Sequence, residues 1–565
     1  MLSTVWLFLF GNLFLLTLCD NLTVKTNSGQ VRGVALRTLA NKKEYIAFKG
    51  IPYAEPPIGD LRFKVPLPIT PWKGILEASE YGNSCMVIYQ SKLFPSMNKQ
   101  SEDCLFLNVF TPVTSCNKSN SKRAVMFFIH GGAFTEGDGT DTWYGPDFIV
   151  EDDVVLVTIN YRLGPWGFAN FDIKGYTGNM GFKDQQLALA WTHRNIKHFG
   201  GDPNEITVFG ESAGGLSTHL HTLSDTSRQF IKRAIPMSGT TFTNWGHYAP
   251  NSHVDLFKQI FALDAGATGH DVLQFMLEAP IELILEKSPS ISVSPLSLVE
   301  MPFSTVIEDV KKAENPFLTQ RPQEIYKTTN VNVPAMFGIT SAETIILFNP
   351  SNPFYWLEPL RNYSNIGLPF NGLTLAPESP MYRMAAEKVY KFYFGDRKLE
   401  PTQEILEIYL QMTTDMNFAY PVYEALKFHS ARAKTNCYEY ELDLNLNAIK
   451  ITRNITYLNG MSHMEDLLYM FYSKLFAEQF ATVLTNPNDP INRKTIAALE
   501  FSPKVFTDYA KTGRPTYLGR FTGWENICVA ITNDGPKPML GLRKDIMKFW
   551  ESIHESVKPW IVNPF

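Results

Sequence analysis

Apolar positions along this chain gather into short, nearly unbroken runs separated by longer stretches of helical spacing. Val125–Ile129 and Val154–Ile159 are such runs, the pattern of strands buried on both faces rather than the alternation of a half-exposed strand. The first ends in His130-Gly131-Gly132-Ala133-Phe134 and the second in Asn160-Tyr161-Arg162. From Asp184 to Phe199 apolar residues recur at Leu187, Ala190, Trp191 and Ile196, which predicts a helix. Further strands are predicted at Leu22–Thr26, Val31–Ala35, Ile206–Phe209, Ala234–Met237, Val333–Ile339 and Tyr438–Leu442, and a last helix over Arg543–His554. The stretch after Tyr45, rich in proline, reads as loop. Around 245–332 and 348–432 the pattern is helical with scattered prolines, as in insertions over the C-terminal ends of strands, where open sheets bind ligands. Strand and helix alternate, which predicts an α/β fold with a mostly parallel central sheet and helices on both faces.

One turn carries chemistry. Behind Ile206–Phe209 stands Gly210-Glu211-Ser212-Ala213-Gly214, followed by helix-compatible sequence. A serine on a sharp strand-to-helix turn is lifted clear of the sheet, and the crowding of such a turn demands residues without Cβ on either side. A serine hydroxyl is a poor nucleophile near neutral pH, so a base and a group that orients it are needed. Among 11 histidines, His193, His198, His219 and His221 lie on predicted helices. His219 and His221, two apart, would point to different sides and do not suit a shared metal. His463 sits in Gly460-Met461-Ser462-His463, a loop running into apolar sequence, late in the chain where a base is expected. Glu343, just past Val333–Ile339, is placed for the acid, completing the order Ser, acid, His.

Composition narrows the setting. The 565 residues are 44% hydrophobic and 19% charged, an ordinary globular balance. A net charge of −5 gives no electrostatic reason to expect nucleic acid as a partner. Val5–Leu18 is almost wholly apolar and too short to span a bilayer, so residues 1–19 read as a cleaved leader and 20–565 as one exported domain without a membrane anchor. Sequons at Asn21, Asn117, Asn362 and Asn454 fit that route. Of six cysteines one lies in the leader, leaving an odd number, with Cys116 in a polar loop the expected unpaired thiol.

Along nearly all of the mature chain the sequence resembles the type-B carboxylesterase/cholinesterase family of α/β-hydrolases. The resemblance rests on ordered blocks: Phe48-Lys49-Gly50-Ile51-Pro52-Tyr53-Ala54 with Pro56-Pro57-Ile58-Gly59, Ser101 to Val109, His130 to Phe134, Asn160 to Gly164, Gly178-Asn179 through Asp184-Gln185, and Phe199 to Pro203. It implies an α/β-hydrolase fold with helical insertions over an active-site gorge. It also implies a triad of Ser212, Glu343 and His463, and an oxyanion hole formed by the N–H groups of Gly132, Ala133 and Ala213. The family's usual glycine shortly after the acid is absent, Thr344 and Ile345 standing there, and Ala133 replaces a frequent third glycine. The family's first disulfide maps onto Cys85 and Cys104, and its buried ion pairs onto Arg62–Glu102 and Arg162–Asp184. Cys437 and Cys528 are left either to pair or to stay buried. Counting back from Val306-Ile307-Glu308 puts Val299 and Met301 at the acyl side of the gorge.

The implied activity is hydrolysis of a small-molecule ester without metal or cofactor. Cholinesterases hold the quaternary ammonium on a tryptophan inside the first disulfide loop, and Met86–Asp103 contains none. Juvenile hormone esterases typically carry Gln beside the serine, where this chain has Glu211. The expectation is therefore a general secreted carboxylesterase for lipophilic esters, with a hormone- or odorant-ester enzyme as the alternative. Adhesion members of the family usually lack the nucleophile or base, and this chain keeps every candidate.

Overall fold

The structure, a computed structural model, describes residues 22–88, 95, 98–112, 122–246, 252–289, 292–293, 299–370, 373–515 and 527–561. The leader with Asn21, and the loop with Cys116 and Asn117, lie outside the described residues. One 11-stranded sheet organises the chain. Its strands are β1 (Val34–Arg37), β2 (Glu44–Pro52), β3 (Phe106–Thr111), β4 (Arg123–Ile129), β5 (Val155–Ile159), β6 (Gly201–Glu211), β7 (Arg233–Met237), β8 (Ala335–Thr340), β9 (Thr435–Glu441), β10 (Ile527–Thr532) and β11 (Gly535–Leu540). Across the sheet they run β11-β10-β9-β8-β7-β6-β4-β5-β3-β2-β1. From β5 across to β10 the pairing is parallel, and both edges are antiparallel.

The unbroken apolar runs are explained by this burial. Along β4, Val125, Phe127 and Ile129 join the core on one face, while Met126 and Phe128 join the core on the other. Helix Met180–Asn195 covers one face and helix Pro490–Thr512 packs beside β4 and β6. Chain order reverses at β4, which has β5 on one side and β6 on the other. Loops leaving β4 and β6 therefore diverge, and a crevice opens at their C-terminal ends. The Gly131-Gly132 loop follows β4 and Ser212 follows β6, with Gly210 in register with Ile129.

Two expectations need correction. The segment after Tyr45 is not loop until Pro52, because Glu44–Pro52 forms β2, and proline marks only its end. The insertion at 245–332 is not purely helical: Ser292–Val293 pairs with Val299–Glu300 in a short hairpin. Cys85 bonds to Cys104. Cys437 and Cys528, register partners on β9 and β10, form a second disulfide. The ion pairs Arg62–Glu102 (2.6 Å) and Arg162–Asp184 (2.7 Å) are both buried. No helix among the described residues is long and apolar enough to cross a membrane.

Candidate active site

Ser212 stands between the end of β6 and helix Ala213–Leu223, at φ 59° and ψ −122°. A residue with a Cβ is strained there, at a cost on the order of 1–3 kcal/mol that the surrounding packing must enforce. The enforcement is visible. A Cβ on Gly214 would lie 2.0 Å from the carbonyl oxygen of Ile129, and one on Gly210 would lie 2.5 Å from the same atom. The Ser212 N–H donates to the Met237 carbonyl at 2.9 Å. The turn is thus wedged between β4 and β7, and Ser212 is left partly exposed among buried neighbours.

Glu343 and His463 come from loops far apart in sequence and zipped together in space. Ala342 N–H donates to the Met461 carbonyl (2.9 Å), and His463 N–H to the Glu343 carbonyl (3.2 Å). The Ser341 hydroxyl accepts from Met461 N–H at 2.9 Å. Glu343 is fully buried, its Oε1 accepting from Thr340 N–H at 2.8 Å. Its Oε2 accepts from His463 Nδ1 at 2.6 Å. That bond fixes the tautomer and leaves Nε2 as the atom able to take a proton. Next to the acid, Thr344 donates its hydroxyl to the Leu410 carbonyl at 3.0 Å and so ties the acid loop to helix Gln403–Thr414.

Where Nε2 points could not be read from the sequence. Glu211 Oε1 lies 3.0 Å from it, an ion pair once the ring is protonated, and among the described residues this buried carboxylate has no other polar partner. Among the described residues the Ser212 hydroxyl makes no hydrogen bond. In resting enzymes such bonds are often long and tighten with substrate. Burial works to lower the pKa of His463, but the Glu211 and Glu343 carboxylates outweigh it and hold the pKa well above the usual histidine value. Burial raises the pKa of Glu211. Asp466, fully enclosed nearby, is pushed well up by burial and then by Glu211 and Glu343.

The loop after β4 turns through three successive left-handed residues: Gly132 (φ 96°), Ala133 (φ 54°) and Phe134 (φ 60°). A Cβ on Gly132 would lie 2.2 Å from the Glu136 carbonyl, whereas Ala133 keeps its Cβ in the left-handed region. Gly131 abuts the serine, since a Cβ there would lie 3.0 Å from the Ser212 Cβ. Among the described residues the N–H groups of Gly132, Ala133 and Ala213 donate to no protein acceptor, and Ala213 opens a helix whose dipole favours negative charge.

Two aromatic residues that sequence reading missed flank this centre. The Phe418 ring packs 4.9 Å from the His463 imidazole, and Trp245 lies 5.8 Å from Phe418. Trp245 also packs on Gly239, where a Cβ would lie 2.1 Å from the Ser212 carbonyl oxygen. Phe418 rides on a π-helical turn, Asp415–Ala419. Pro421 lacks the N–H that would bond the Asn417 carbonyl, and the Trp245 indole N–H takes that carbonyl instead at 3.1 Å. A proline in a helical pattern was the available signal. Val299 belongs to the short hairpin, which packs beside the Asn244–Gly246 turn carrying Trp245, and Met301 is half-buried against the core. His219 and His221 diverge, the first to Tyr326 (2.7 Å) and the second to Ser227 and Gln185.

Comparison with known proteins bears on the family and the fold. Residues 20–552 match the carboxylesterase family. A juvenile hormone esterase of Tribolium castaneum is 31% identical over 515 residues, covering 87% of this chain and 84% of that protein. Esterase FE4 of Myzus persicae is 33% identical over 528 residues, covering 90% and 88%. The crystal structure of juvenile hormone esterase from Manduca sexta, with OTFP covalently attached, shares the fold at a TM-score of 0.76 and 24% identity, covering 94% of this chain and 99% of that one. The chain belongs to the carboxylesterase family and is a carboxylic ester hydrolase.

Proposed function

We propose that this protein is a secreted serine carboxylesterase that hydrolyses lipophilic carboxylic esters through an acyl-enzyme on Ser212. The Ser212 hydroxyl attacks the ester carbonyl as His463 Nε2 takes its proton. Glu343 orients the imidazole and stabilises its charged form. The developing oxyanion is received by the N–H groups of Gly132, Ala133 and Ala213. His463 returns the proton to the departing alcohol, and a water activated by the same imidazole then releases the acid. The observation that carries this reading is the 2.6 Å contact between buried Glu343 and His463, held beside a strained serine turn.

The apolar pair Trp245 and Phe418, with the Val299–Glu300 strand beside the Trp245 turn and half-buried Met301 following it, supports an acyl side built for chains longer than acetyl. Rates for acetyl, butyryl and hexanoyl p-nitrophenyl esters test this, kcat/KM rising by up to about fourfold per buried methylene. A steep preference for acetyl would contradict it. A hormone-directed enzyme is the second reading, favoured by relatives named juvenile hormone esterases. A kcat/KM for juvenile hormone far above that for the simple esters would establish it, and parity would exclude it. Export as a single domain from residue 20 rests on the apolar leader, the disulfides, and sequon residues Asn362 and Asn454, both exposed.

A further inference from the structure

Outside the triad, one buried cation, Arg543, bonds directly to the acid loop, to β9 and to the π turn that carries Phe418. Arg543 begins the last long helix, Lys544–Val557, in a left-handed conformation (φ 46°, ψ 48°) that a residue with a Cβ adopts at some cost. Its side chain is 8% exposed. The guanidinium has three direct partners. Nη2 donates to the Ser341 carbonyl at 2.6 Å, two residues before the acid. Nε and Nη2 grip Glu439 Oε1 on β9 at 2.9 and 2.6 Å. Nη1 donates to Asp415 Oδ1 at 2.5 Å, at the head of the π turn that carries Phe418. A further link runs through Ser341, whose hydroxyl accepts from Met461 N–H, two residues before His463. Asp415 is braced in turn by Tyr393, whose hydroxyl donates to Oδ2 at 2.9 Å and accepts from the Trp550 indole at 3.0 Å.

We propose that Arg543 is a positioning residue for ester hydrolysis, a single guanidinium that sets the acid loop, the histidine loop and the aromatic wall relative to one another. The inference rests on the esterase reading above. Only a planar cation with several fixed donors can serve these acceptors together, so lysine, a point charge, is not an equivalent. An ion pair with Glu439 alone would need neither the Ser341 carbonyl nor Asp415. Catalytic geometry tolerates little error: misplacement by about 1 Å costs on the order of 100-fold.

Arg543, Ser341, Gly460 and Glu439 line an open depression of ≈ 720 Å³, so a truncated side chain leaves a cavity that solutes can reach. The test measures kcat and KM for p-nitrophenyl butyrate per serine titrated with an organophosphate, alongside the melting temperature. Arg543→Ala is expected to lower kcat roughly 10- to 100-fold with KM changed less than about threefold. Millimolar guanidinium is expected to restore part of that loss in Arg543→Ala and to do nothing for the wild type. Arg543→Lys and Asp415→Asn, which keep more of the packing, are expected to show smaller losses in the same direction, and they decide the matter if Arg543→Ala does not fold. Variants that melt lower but keep kcat per titrated serine within about twofold of the wild type would overturn the inference. A wild type that hydrolyses no ester would instead overturn the esterase reading.

Discussion

At the scale of single residues, the unusual feature is how many carboxylates surround one imidazole. Glu343 meets His463 at Nδ1, Glu211 lies beside Nε2, and Asp466 is buried close by. A base acts only when neutral, and negative neighbours favour the protonated form. With the His463 pKa well above its ordinary value, the acid limb of the kcat/KM profile is expected on the alkaline side of an ordinary histidine titration. Removing the Glu211 charge favours neutral imidazole, so Glu211→Gln should shift that limb to lower pH. A limb that stays in place or moves upward would show that Glu211 carries no charge felt by the base. Ala133 offers a second residue-scale test. Its φ of 54° suits glycine, so Ala133→Gly should keep kcat within a few-fold and change stability by less than about 1 kcal/mol, relief of strain being offset by a freer unfolded chain. A large loss of kcat would mean that the Ala133 methyl itself shapes the hole. Ser212, His463 and Glu343 were singled out by local patterns in the sequence, and the structure sets Glu343 against His463 beside the Ser212 turn. The approach of Glu211 to Nε2 was not legible in the sequence, since it depends on how the His463 loop, more than 200 residues away, folds back.

Elements explain how the loops reach one another. Buried strands were readable as apolar runs, and β4, β5, β7 and β8 begin or end within two residues of expectation. Strand β2 was misread because prolines follow it closely. Helix Pro490–Thr512 was hidden by Pro503 inside it. The π turn at Asp415–Ala419 was also out of reach, since a proline in a helical pattern signals a break without saying which carbonyl is released or which donor takes it. That turn has a functional prediction attached. Phe418 faces His463, so Phe418→Ala should widen the acyl side and raise the hexanoyl-to-acetyl ratio of kcat/KM by about 4- to 15-fold, one to two methylenes' worth of added burial. An unchanged ratio, measured with the same p-nitrophenyl series, would remove Phe418 from the substrate path.

Over the whole molecule, the reversal of strand order at β4 places the oxyanion loop and the serine turn on adjacent strands, while β8 and β9 supply the route to acid and base. The disulfides protect this frame at different lengths. Cys85–Cys104 closes 19 residues and Cys437–Cys528 closes 91, which by loop entropy corresponds to about 3 and about 4.5 kcal/mol. Cys437→Ala with Cys528→Ala should therefore lower the midpoint of denaturant unfolding more than the matching change at Cys85 and Cys104. The reverse order would show that native packing, not loop length, sets their worth. Pairing at Cys85–Cys104 followed from family resemblance, whereas pairing of Cys437 with Cys528 became visible only once β9 and β10 lay side by side.

The central claim is a covalent acyl-enzyme on Ser212, and mass spectrometry after reaction with a stoichiometric organophosphate tests it most directly. One phosphoryl adduct should form on the peptide holding Gly210-Glu211-Ser212-Ala213-Gly214, in step with loss of esterase activity, and Ser212→Ala should neither bind the adduct nor turn over ester. An adduct on another residue, or activity that survives Ser212→Ala, would contradict the account.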